Sequence, residues 1–291
     1  MKAAILLTCF NRKEKTLACL KSIHEQSKVD GLTIKIFLVD DGSTDGTSSA
    51  VKNDYPEVNV LQGSGDLYWN GGMNFAWETT IKEFFDFYIW MNDDISLLSN
   101  AFSIMFDAHA AAYSAHNTDP VVVGCFCEED NISHAYGGFH VKKSLWAITK
   151  TPILPSDTVK QCDTFNGNLV LIPKSVVNKI GLLDKRYTHS FGDIDYGLRC
   201  TANNIPIYIT PGYVGKCPRN PTKNSWFDPN TPLIQRYKRL TSPTGLSPSE
   251  YFYSYKKERA YIAGYLALIK LYLRLLMPKL WSKLSENKIK L

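Results

Sequence analysis

Residues 34–43 read IKIFLVDDGS and residues 86–95 read DFYIWMNDDI. In each stretch a run of apolar residues stops at a pair of aspartates. Short apolar runs bounded by turn-forming residues are typical of buried β-strands. We therefore expect strands at Ile34–Val39 and Phe84–Met91, each followed by a loop that carries carboxylates.

The same alternation extends outward from these two stretches. Helical spacing of apolar residues follows each candidate strand, and this pattern favours right-handed βαβ units in a mainly parallel sheet. Loops at the carboxyl ends of such strands form ligand sites. The further expected strands are Ala3–Thr8 and Val58–Leu61, and the expected helices are Lys13–Gln26, Thr47–Asn53 and Met73–Glu83.

The second half of the chain has a less regular pattern. We expect short antiparallel strands within Ile132–Leu154, a long ordered loop or lid at Pro211–Gly245, which holds six prolines, and amphipathic helices over the last forty residues. The remaining expected elements are helices at Ala101–Tyr113, Pro173–Ile180 and Ile194–Ala202, and strands at Val121–Phe126, Asn168–Ile172 and Ile207–Thr210.

Composition places the chain among ordinary globular proteins. It has 291 residues, of which 44% are hydrophobic and 21% charged, enough for one large domain with an appendage. Its seven cysteines are an odd number without a C-x-x-C pair, so neither a disulfide framework nor a zinc ribbon is indicated, and we expect reduced cytosolic thiols. The apolar run at the N-terminus is too short for a signal peptide or a membrane span.

Four polar clusters each lie at the carboxyl end of an expected strand. They comprise Thr8–Arg12, Asp40–Ser43, Gly63–Asn74 and Asn92–Asp94. A single cluster means little, because Asp and Gly simply end strands, but four that converge on one sheet edge define a site. The sequence contains no G-x-G-x-x-G after the first strand and no G-x-x-x-x-G-K-[ST], which argues against dinucleotide oxidoreductases and P-loop enzymes.

Five motifs, in order, resemble family 2 glycosyltransferases with a GT-A fold: LLTCFNR, FLVDDGSTDGT, GDLYWNGGMNFAW, YIWMNDDISL and FGDIDYGLRC. The resemblance covers roughly the first 215 residues, and its Gly71-Gly72-Met73-Asn74 block leans toward bacterial rhamnosyl- and galactofuranosyltransferases. It implies an α/β GT-A mixed sheet flanked by helices, with a C-terminal helical extension. The implied division is a catalytic domain at 1–215 (nucleotide-binding half 1–100, acceptor-binding half 101–215), a Pro-rich loop or lid at 216–250 and a basic helical tail at 251–291.

The resemblance also implies a nucleotide-sugar site. Asp40 can accept hydrogen bonds from a uracil or thymine N–H, and Asp41 with its Gly-Ser turn can hold the ribose. The alternative is plain turn chemistry, with Asp45 or Thr47 capping the next helix. The full candidate set for nucleotide and donor sugar is Thr8, Asn11, Arg12, Asp40, Asp41, Gly42, Ser43, Trp69, Asn70, Gly71, Gly72, Asn74 and Asp93.

Asn92-Asp93-Asp94 occupies the place of the family's D-x-D signature. By the resemblance Asp94 is the candidate ligand for Mg²⁺ or Mn²⁺, hard cations that prefer oxygen ligands. The alternative is a solvated turn. Many family members carry a further His ligand after the strand equivalent to Ile207–Thr210, but this chain has none there, so Lys216 and Arg219 are the candidates to supply positive charge instead.

The resemblance assigns the general base to Asp193, in Phe191-Gly192-Asp193-Ile194-Asp195. The base would deprotonate the acceptor hydroxyl while that oxygen displaces the diphosphate and inverts the anomeric centre. Gly192 stands where the family usually has Glu, which leaves the acceptor type open. The alternative is a helix cap at Asp193 or Asp195. The acceptor candidates are Asn166, Gly167, His189 and Asp195.

These features predict an inverting glycosyltransferase that moves a sugar, rhamnose first, from a dTDP- or UDP-sugar to a saccharide or polyprenyl-diphosphate-linked acceptor in O-antigen or capsule synthesis. The alternatives are a UDP-galactofuranosyltransferase and a catalytically silent nucleotide-sugar-binding scaffold. Residues 251–291 carry an excess of seven positive charges. This tail predicts either peripheral contact with the inner face of a bacterial cytoplasmic membrane or packing on protein, and nothing in it indicates nucleic-acid binding.

Overall fold

The computed structural model describes residues 1–219 and 225–281. They form two compact units: Met1–His140 with Thr151–Thr188 and Gly192–Arg219, and Val141–Lys150 with His189–Phe191 and the described part of Asn220–Leu291. The helices are α1 Lys13–His24, α2 Thr47–Asp54, α3 Tyr68–Thr80, α4 Ala101–His116, α5 Lys174–Ile180, α6 Gly192–Ala202, α7 Leu233–Thr241, α8 Pro248–Lys257 and α9 Tyr261–Leu276.

The strands are mostly short and buried. They are β1 Lys2–Cys9, β2 Thr33–Asp40, β3 Asn59–Gln62, β4 Phe87–Met91, β5 Ser96–Leu97, β6 Val121–Val123, β7 Phe126–Cys127, β8 His134–Tyr136, β9 Gly138–Lys143, β10 Ile148–Pro152, β11 Lys160–Cys162, β12 Thr164–Phe165, β13 Leu169–Pro173, β14 Ile207–Ile209 and β15 Gly215–Lys216.

An eight-stranded mixed sheet forms the centre of the first unit, in the order β11-β14-β6-β13-β4-β1-β2-β3. Strands β1 to β4 run parallel to their neighbours among themselves, whereas β13 is antiparallel to both β4 and β6. Cys9, the last residue of β1, pairs with Asp40, the last residue of β2. The expected mixed sheet flanked by helices is confirmed, and the loops after β1 and β2 leave it side by side.

Both faces of the sheet are covered by helices, which is why its strands read as continuous apolar runs. Residues of α1, α2 and α4 pack on one face, where Leu20 and Phe102 contact the same core as Ile5 and Leu7. Residues of α3 and α6 pack on the other face. There the rings of Trp77 and Tyr196 lie 5.2 Å and 4.9 Å from that of Trp90, and edge-to-face packing of this kind stabilises aromatic cores.

Helix α3 corrects one expectation about the glycine-rich segment. It begins at Tyr68 rather than Met73, so Gly71 and Gly72 lie inside the helix and Asn74 is not at its start. A contact with a distant strand explains the glycine at position 72, because a Cβ there would overlap with the side chain of Thr8 on β1. The glycine permits close packing of helix on strand instead of forming a loop.

Two other expectations were wrong. The single strand expected at Val121–Phe126 is two strands, β6 and β7, which belong to different sheets and are separated by Gly124 and Cys125. The long loop expected at Pro211–Gly245 contains strand β15 and helix α7. The part of that segment at 220–224 lies outside the described residues.

Helices α7, α8 and α9 form the core of the second unit. Leu240, Leu271 and Leu275 are its buried centre, and the ring of Phe191 stacks on that of Tyr251 at 5.7 Å. The expected helices of the tail are confirmed up to residue 281, and the tail residues from 282 to 291 lie outside the described residues. Across the described ranges, every helix is too short or too polar to cross a bilayer.

Candidate functional site

The loops that follow β1 and β2 are tied to each other. Asn11 Oδ1 accepts the Thr44 N–H at 2.7 Å, and the Asn11 N–H donates to Ser43 Oγ at 2.9 Å. Asp45 accepts the N–H groups of Lys13 and Thr47, the first residues of α1 and α2. Hydrogen bonds from the Thr47 side chain and the Lys13 amide hold the pKa of Asp45 below its ordinary value. Asp45 thus supports the start of α2, but the N-cap residue is Gly46, so neither Asp45 nor Thr47 is the cap that the turn reading considered.

Asp40 is a buried carboxylate, 1% exposed, at the end of β2. Its Oδ1 accepts the Ser43 N–H at 2.8 Å, and its Oδ2 accepts the Ser48 hydroxyl. Gln62 donates to the same Ser48 oxygen at 2.9 Å. Because a carboxylate offers about four lone-pair positions, Asp40 retains capacity to accept an N–H from a ligand.

Asp41 holds the segment that leads into α3. It is 3% exposed, its Oδ1 accepts the Gly65 N–H at 2.8 Å, and its Oδ2 accepts the Tyr68 N–H at 2.9 Å. Tyr68 has φ +54°, which costs a non-glycine residue free energy and needs support from its surroundings. Gly42, with φ +82°, approaches the same segment, since a Cβ on it would lie 3.0 Å from the Gly65 Cα. The structure therefore gives Asp41 a supporting role that the sequence reasoning did not consider.

Asp93 and Asp94 lie together after β4, and both form an ion pair with the guanidinium group of Arg12. Arg12 Nη1 lies 3.1 Å from Asp93 Oδ1 and 3.0 Å from Asp94 Oδ2, and Lys15 Nζ lies 3.9 Å from Asp94. Burial raises the pKa of Asp93 to about 6 against the opposing charge of Arg12. Thr16 donates to Asp93 Oδ2 at 3.3 Å. All four loop clusters are thus joined by charge and hydrogen bonds.

The acidic pair suits a divalent cation only where substrate phosphates and water supply the other ligands. In the described ranges, no three His, Cys, Asp or Glu side chains come together as a metal site. Mg²⁺ is commonly held by one or two carboxylates together with substrate phosphates and water, and the partly exposed Asp94 with Asp93 meets that requirement. Arg219 is engaged elsewhere, with Glu128 at 3.7 Å and the His134 carbonyl at 2.7 Å.

Asp193 lies in the first turn of α6, beside the segment that precedes β13. Its Oδ2 accepts the Gly167 N–H at 2.9 Å and its Oδ1 accepts the Ile194 N–H at 2.7 Å. A Cβ on Gly167 would lie 2.8 Å from the Trp69 ring and 3.2 Å from Asp193 Cβ. Trp69 Nε1 donates to Asn92 Oδ1 at 2.8 Å. A continuous series of contacts therefore joins Asp193 to the loop that carries Asp93 and Asp94.

Gly192 has a neighbour that explains the absence of a side chain. A Cβ at this position would lie 2.0 Å from Asn70 Oδ1, so the Asn70 amide fills the space into which a side chain would extend. Asn70 Nδ2 donates to the carbonyls of Asp184 and Tyr187 at 3.0 and 2.7 Å. The departure from the family's Glu is thus paired with a buried amide on α3.

The acceptor candidates occupy different surroundings. The Asn166 N–H donates to the Gly137 carbonyl at 3.0 Å. Asp195 is 6% exposed and pairs with Arg199 at 2.9 Å, so it serves the packing of α6. His189 belongs to the second unit.

Sequence reasoning did not identify Thr16 and Ser48, which bond to Asp93 and Asp40. Thr16 is completely buried and lies on the same helical stripe as Leu20 and Ile23. A hydroxyl residue among the apolar residues of α1 was the sequence feature that could have identified Thr16.

The fold is shared by several solved glycosyltransferases. The mannosyltransferase PcManGT from Pyrobaculum calidifontis, in complex with GDP-Man and Mn²⁺, aligns with TM-score 0.54 and 14% identity over 95% of this chain and 72% of that chain. S. aureus TarS aligns with TM-score 0.55 and 13% identity over 87% and 45%. GalNAc-T7 with UDP, GalNAc and Mn²⁺ aligns with TM-score 0.54 and 11% identity over 82% and 47%, so this chain matches less than half of the last two proteins.

No curated protein sequence matches the chain. The sequence model described as Glycosyl transferase family 2 matches residues 4–177, which include the loops after β1, β2 and β4. The match spans more than half of the chain, and the structural neighbours have the GT-A fold. The chain is therefore a GT-A-fold glycosyltransferase that belongs to glycosyl transferase family 2.

Proposed function

We propose that this enzyme is an inverting glycosyltransferase that transfers a sugar, with rhamnose as first candidate, from a dTDP- or UDP-sugar to a saccharide or lipid-linked acceptor. The observation that carries the proposal is the contact series from Asn92 through Trp69 and Gly167 to Asp193. It links the acidic pair, suited to a diphosphate-bound cation, with a carboxylate suited to be a base. We propose synthesis of bacterial surface polysaccharide, O-antigen or capsule, as the setting.

Each carboxylate has a proposed task within the catalytic region at 1–215. Asp40 accepts the base N–H, and Asp94 with Asp93 holds Mg²⁺ or Mn²⁺. When bound, the cation supplies positive charge beside the departing nucleoside diphosphate. The Gly167 and Ile194 amides fix the carboxylate of Asp193. Asp193 takes the proton of the acceptor hydroxyl. The acceptor oxygen attacks the anomeric carbon at the same time, from the side opposite the leaving nucleoside diphosphate.

The first test is calorimetric binding of dTDP, UDP, GDP and ADP, each with and without Mn²⁺. We expect Mn²⁺-enhanced binding of dTDP or UDP, and Asp40→Asn should weaken it. Binding of none of the four nucleotides would contradict the proposal. A UDP-galactofuranosyltransferase remains the competing assignment, and turnover of dTDP-rhamnose against UDP-galactofuranose distinguishes the two donors.

The second test is Asp193→Asn. Positioned general bases contribute roughly 10²–10⁴-fold in rate, and we expect a loss of that order with nucleotide binding intact. One observation favours the alternative of a silent scaffold, since Arg12 is bonded to both carboxylates of the acidic pair. Wild-type protein that binds nucleotide with no release of nucleoside diphosphate from any donor would support the scaffold.

We also propose that α9 contacts an anionic membrane surface from the cytoplasmic side. Tyr265, Ile269 and Leu276 on this helix are 60%, 55% and 57% exposed, and Lys270 lies among them. Apolar residues interleaved with lysines are typical of helices that lie in the bilayer interface. Ile269→Glu should reduce binding to phosphatidylglycerol vesicles, whereas Ile81→Glu, an exposed change on the first unit, should not. Equal binding of both variants would contradict this contact.

A further inference from the structure

A groove of about 550 Å³ is lined by one side of α3. Its other walls are the segment 62–67 and the segment 185–188, all within the first unit. The volume falls in the range of small-molecule sites, roughly 300–1,000 Å³. Met73, Ala76 and Trp77 of α3 face the core, whereas Asn74 and Glu78 of the same helix line the groove.

A buried amide without a partner lines this groove. Asn74 is 3% exposed, and among the described residues neither its Oδ1 nor its Nδ2 has a hydrogen-bond partner. Asn70, one turn earlier on α3, has an Oδ1 that likewise lacks a hydrogen-bond partner in the part of the chain that the structure describes. Native proteins satisfy nearly all buried polar groups, so such a pair calls for an explanation. A ligand that both donates and accepts hydrogen bonds satisfies the amide of Asn74.

The chemistry of the walls defines the ligand class. Gln62, Ser64, Asp66 and Glu78 add amide, hydroxyl and carboxylate groups, and Phe75 adds an aromatic ring. Glu78 forms an ion pair with Lys185 at 2.5 Å, and Asp66 adds a negative charge, so the charged walls disfavour a diphosphate. Side chains that donate and accept beside an aromatic ring match a neutral, hydroxyl-rich ligand, which is a saccharide.

One lining residue of the groove, Asn70, contacts the segment that carries the proposed base. Asn70 contacts Gly192 directly, and the Asn70 N–H donates to the Thr188 carbonyl at 3.2 Å. Asp193 follows Gly192 in the first turn of α6. Asn70 therefore stands between the groove and the turn of α6 that carries the proposed base.

We propose that this groove binds the acceptor saccharide, with Asn74 and Glu78 as specificity-determining contacts. This inference rests on the proposed function and reassigns Asn70, Gly71 and Asn74 from the donor to the acceptor. It predicts a sugar site that is independent of the nucleotide site at the ends of β1 and β2.

The test is saturation-transfer-difference NMR with methyl glycosides of rhamnose, galactose, glucose, mannose and N-acetylglucosamine. We expect a signal from at least one glycoside with the wild type, unchanged by saturating dTDP or UDP. The signal should fall at least fivefold in Asn74→Leu and in Glu78→Ala. Lys82→Ala, an exposed change just beyond α3, is the matched control and should keep the signal.

Asn74→Leu provides a second readout. Leucine has the same branched arrangement of side-chain heavy atoms as asparagine and no polar atoms to leave unsatisfied, so the unliganded variant should melt at a higher temperature than the wild type. A structural amide would give the opposite shift. If the variant does not fold, the exposed Glu78→Ala still tests sugar binding, because that side chain is 44% exposed.

Three results would overturn the inference. The first is the absence of a glycoside signal with the wild type, and the second is an equal signal in Asn74→Leu, Glu78→Ala and Lys82→Ala. The third is loss of the signal on adding nucleotide, because this result would place the sugar in the donor site. Calorimetry separates this failure from that of the proposed function. Intact dTDP or UDP binding with no groove-dependent sugar signal refutes the acceptor site alone.

Discussion

Replacing Asp41 with alanine should destabilise the first unit substantially. The substitution removes the acceptor of two backbone N–H groups, those of Gly65 and Tyr68, at 2.8 and 2.9 Å. Leaving a buried donor unpaired costs about 1–3 kcal/mol, so the two together predict a loss of about 2–6 kcal/mol. Asp41→Asn keeps one acceptor oxygen, and we expect about half of that loss.

The measurement is urea unfolding of wild type, Asp41→Ala and Asp41→Asn, with Asp54→Ala at the exposed end of α2 as control. With slopes of about 1–3 kcal/mol per molar urea, the midpoint of Asp41→Ala should fall by about 1 M or more. Nucleotide binding, measured on the folded fraction, completes the test. A midpoint unchanged within 0.2 M (about 0.5 kcal/mol) with nucleotide binding abolished would refute the supporting role and make Asp41 a ligand-binding group.

Three further predictions concern packing, thiols and pH. Gly72→Ala should cost about 1–3 kcal/mol by overpacking against Thr8, and adding Thr8→Ala should recover part of it; thermal melts that show no recovery contradict this contact. All seven cysteines are buried, so a thiol reagent should label none of them in the native protein and all seven in denaturant; rapid native labelling would contradict their burial. Burial lowers the pKa of His109 below 6.5 against the opposing charge of Asp119, so the unfolded chain binds the proton more tightly. The free energy of unfolding should therefore fall as the pH drops below about 6.5, and His109→Gln should flatten this slope in urea titrations; an unaltered slope assigns it to other groups.

The strands at the centre of the sheet could be predicted from the sequence because they are buried on both faces. Strands β1, β2 and β4 were expected within a few residues of their observed ends. The aspartates that end β2 and follow β4 marked the site because carboxylates terminate apolar runs visibly. These signals are local, so a single sequence contains them.

The remaining features depend on contacts between distant residues. Gly72 reads as a loop residue until Thr8 is seen 2.3 Å from the position of its missing Cβ. The prolines of the expected lid favoured a loop, but two of them mark helix starts. Pro232 precedes α7 and Pro248 is the first residue of α8, positions at which helices tolerate proline well. Reading these prolines as helix starts would have shortened the expected lid.

The candidate site was predicted in its acids but not in their partners. The carboxylates of Asp40, Asp41 and Asp93 were expected to face ligands, yet each also bonds to protein groups. Such support comes from residues far along the chain, such as Thr16 for Asp93, and composition or spacing does not reveal it. Whether these carboxylates also bind nucleotide stays a prediction.

The contact between Gly192 and Asn70 couples two positions that are far apart in sequence. A glutamate introduced at position 192 would overlap with the Asn70 amide. A small residue at position 70 alone would leave a cavity and remove the hydrogen bonds that Asn70 donates to the carbonyls of Asp184 and Tyr187. Each single replacement is therefore harmful, and the pair together is less so, which is sign epistasis. Homologues that descend from this sequence should exchange the two residues jointly, and an engineer who wishes to restore the glutamate must change position 70 in the same step.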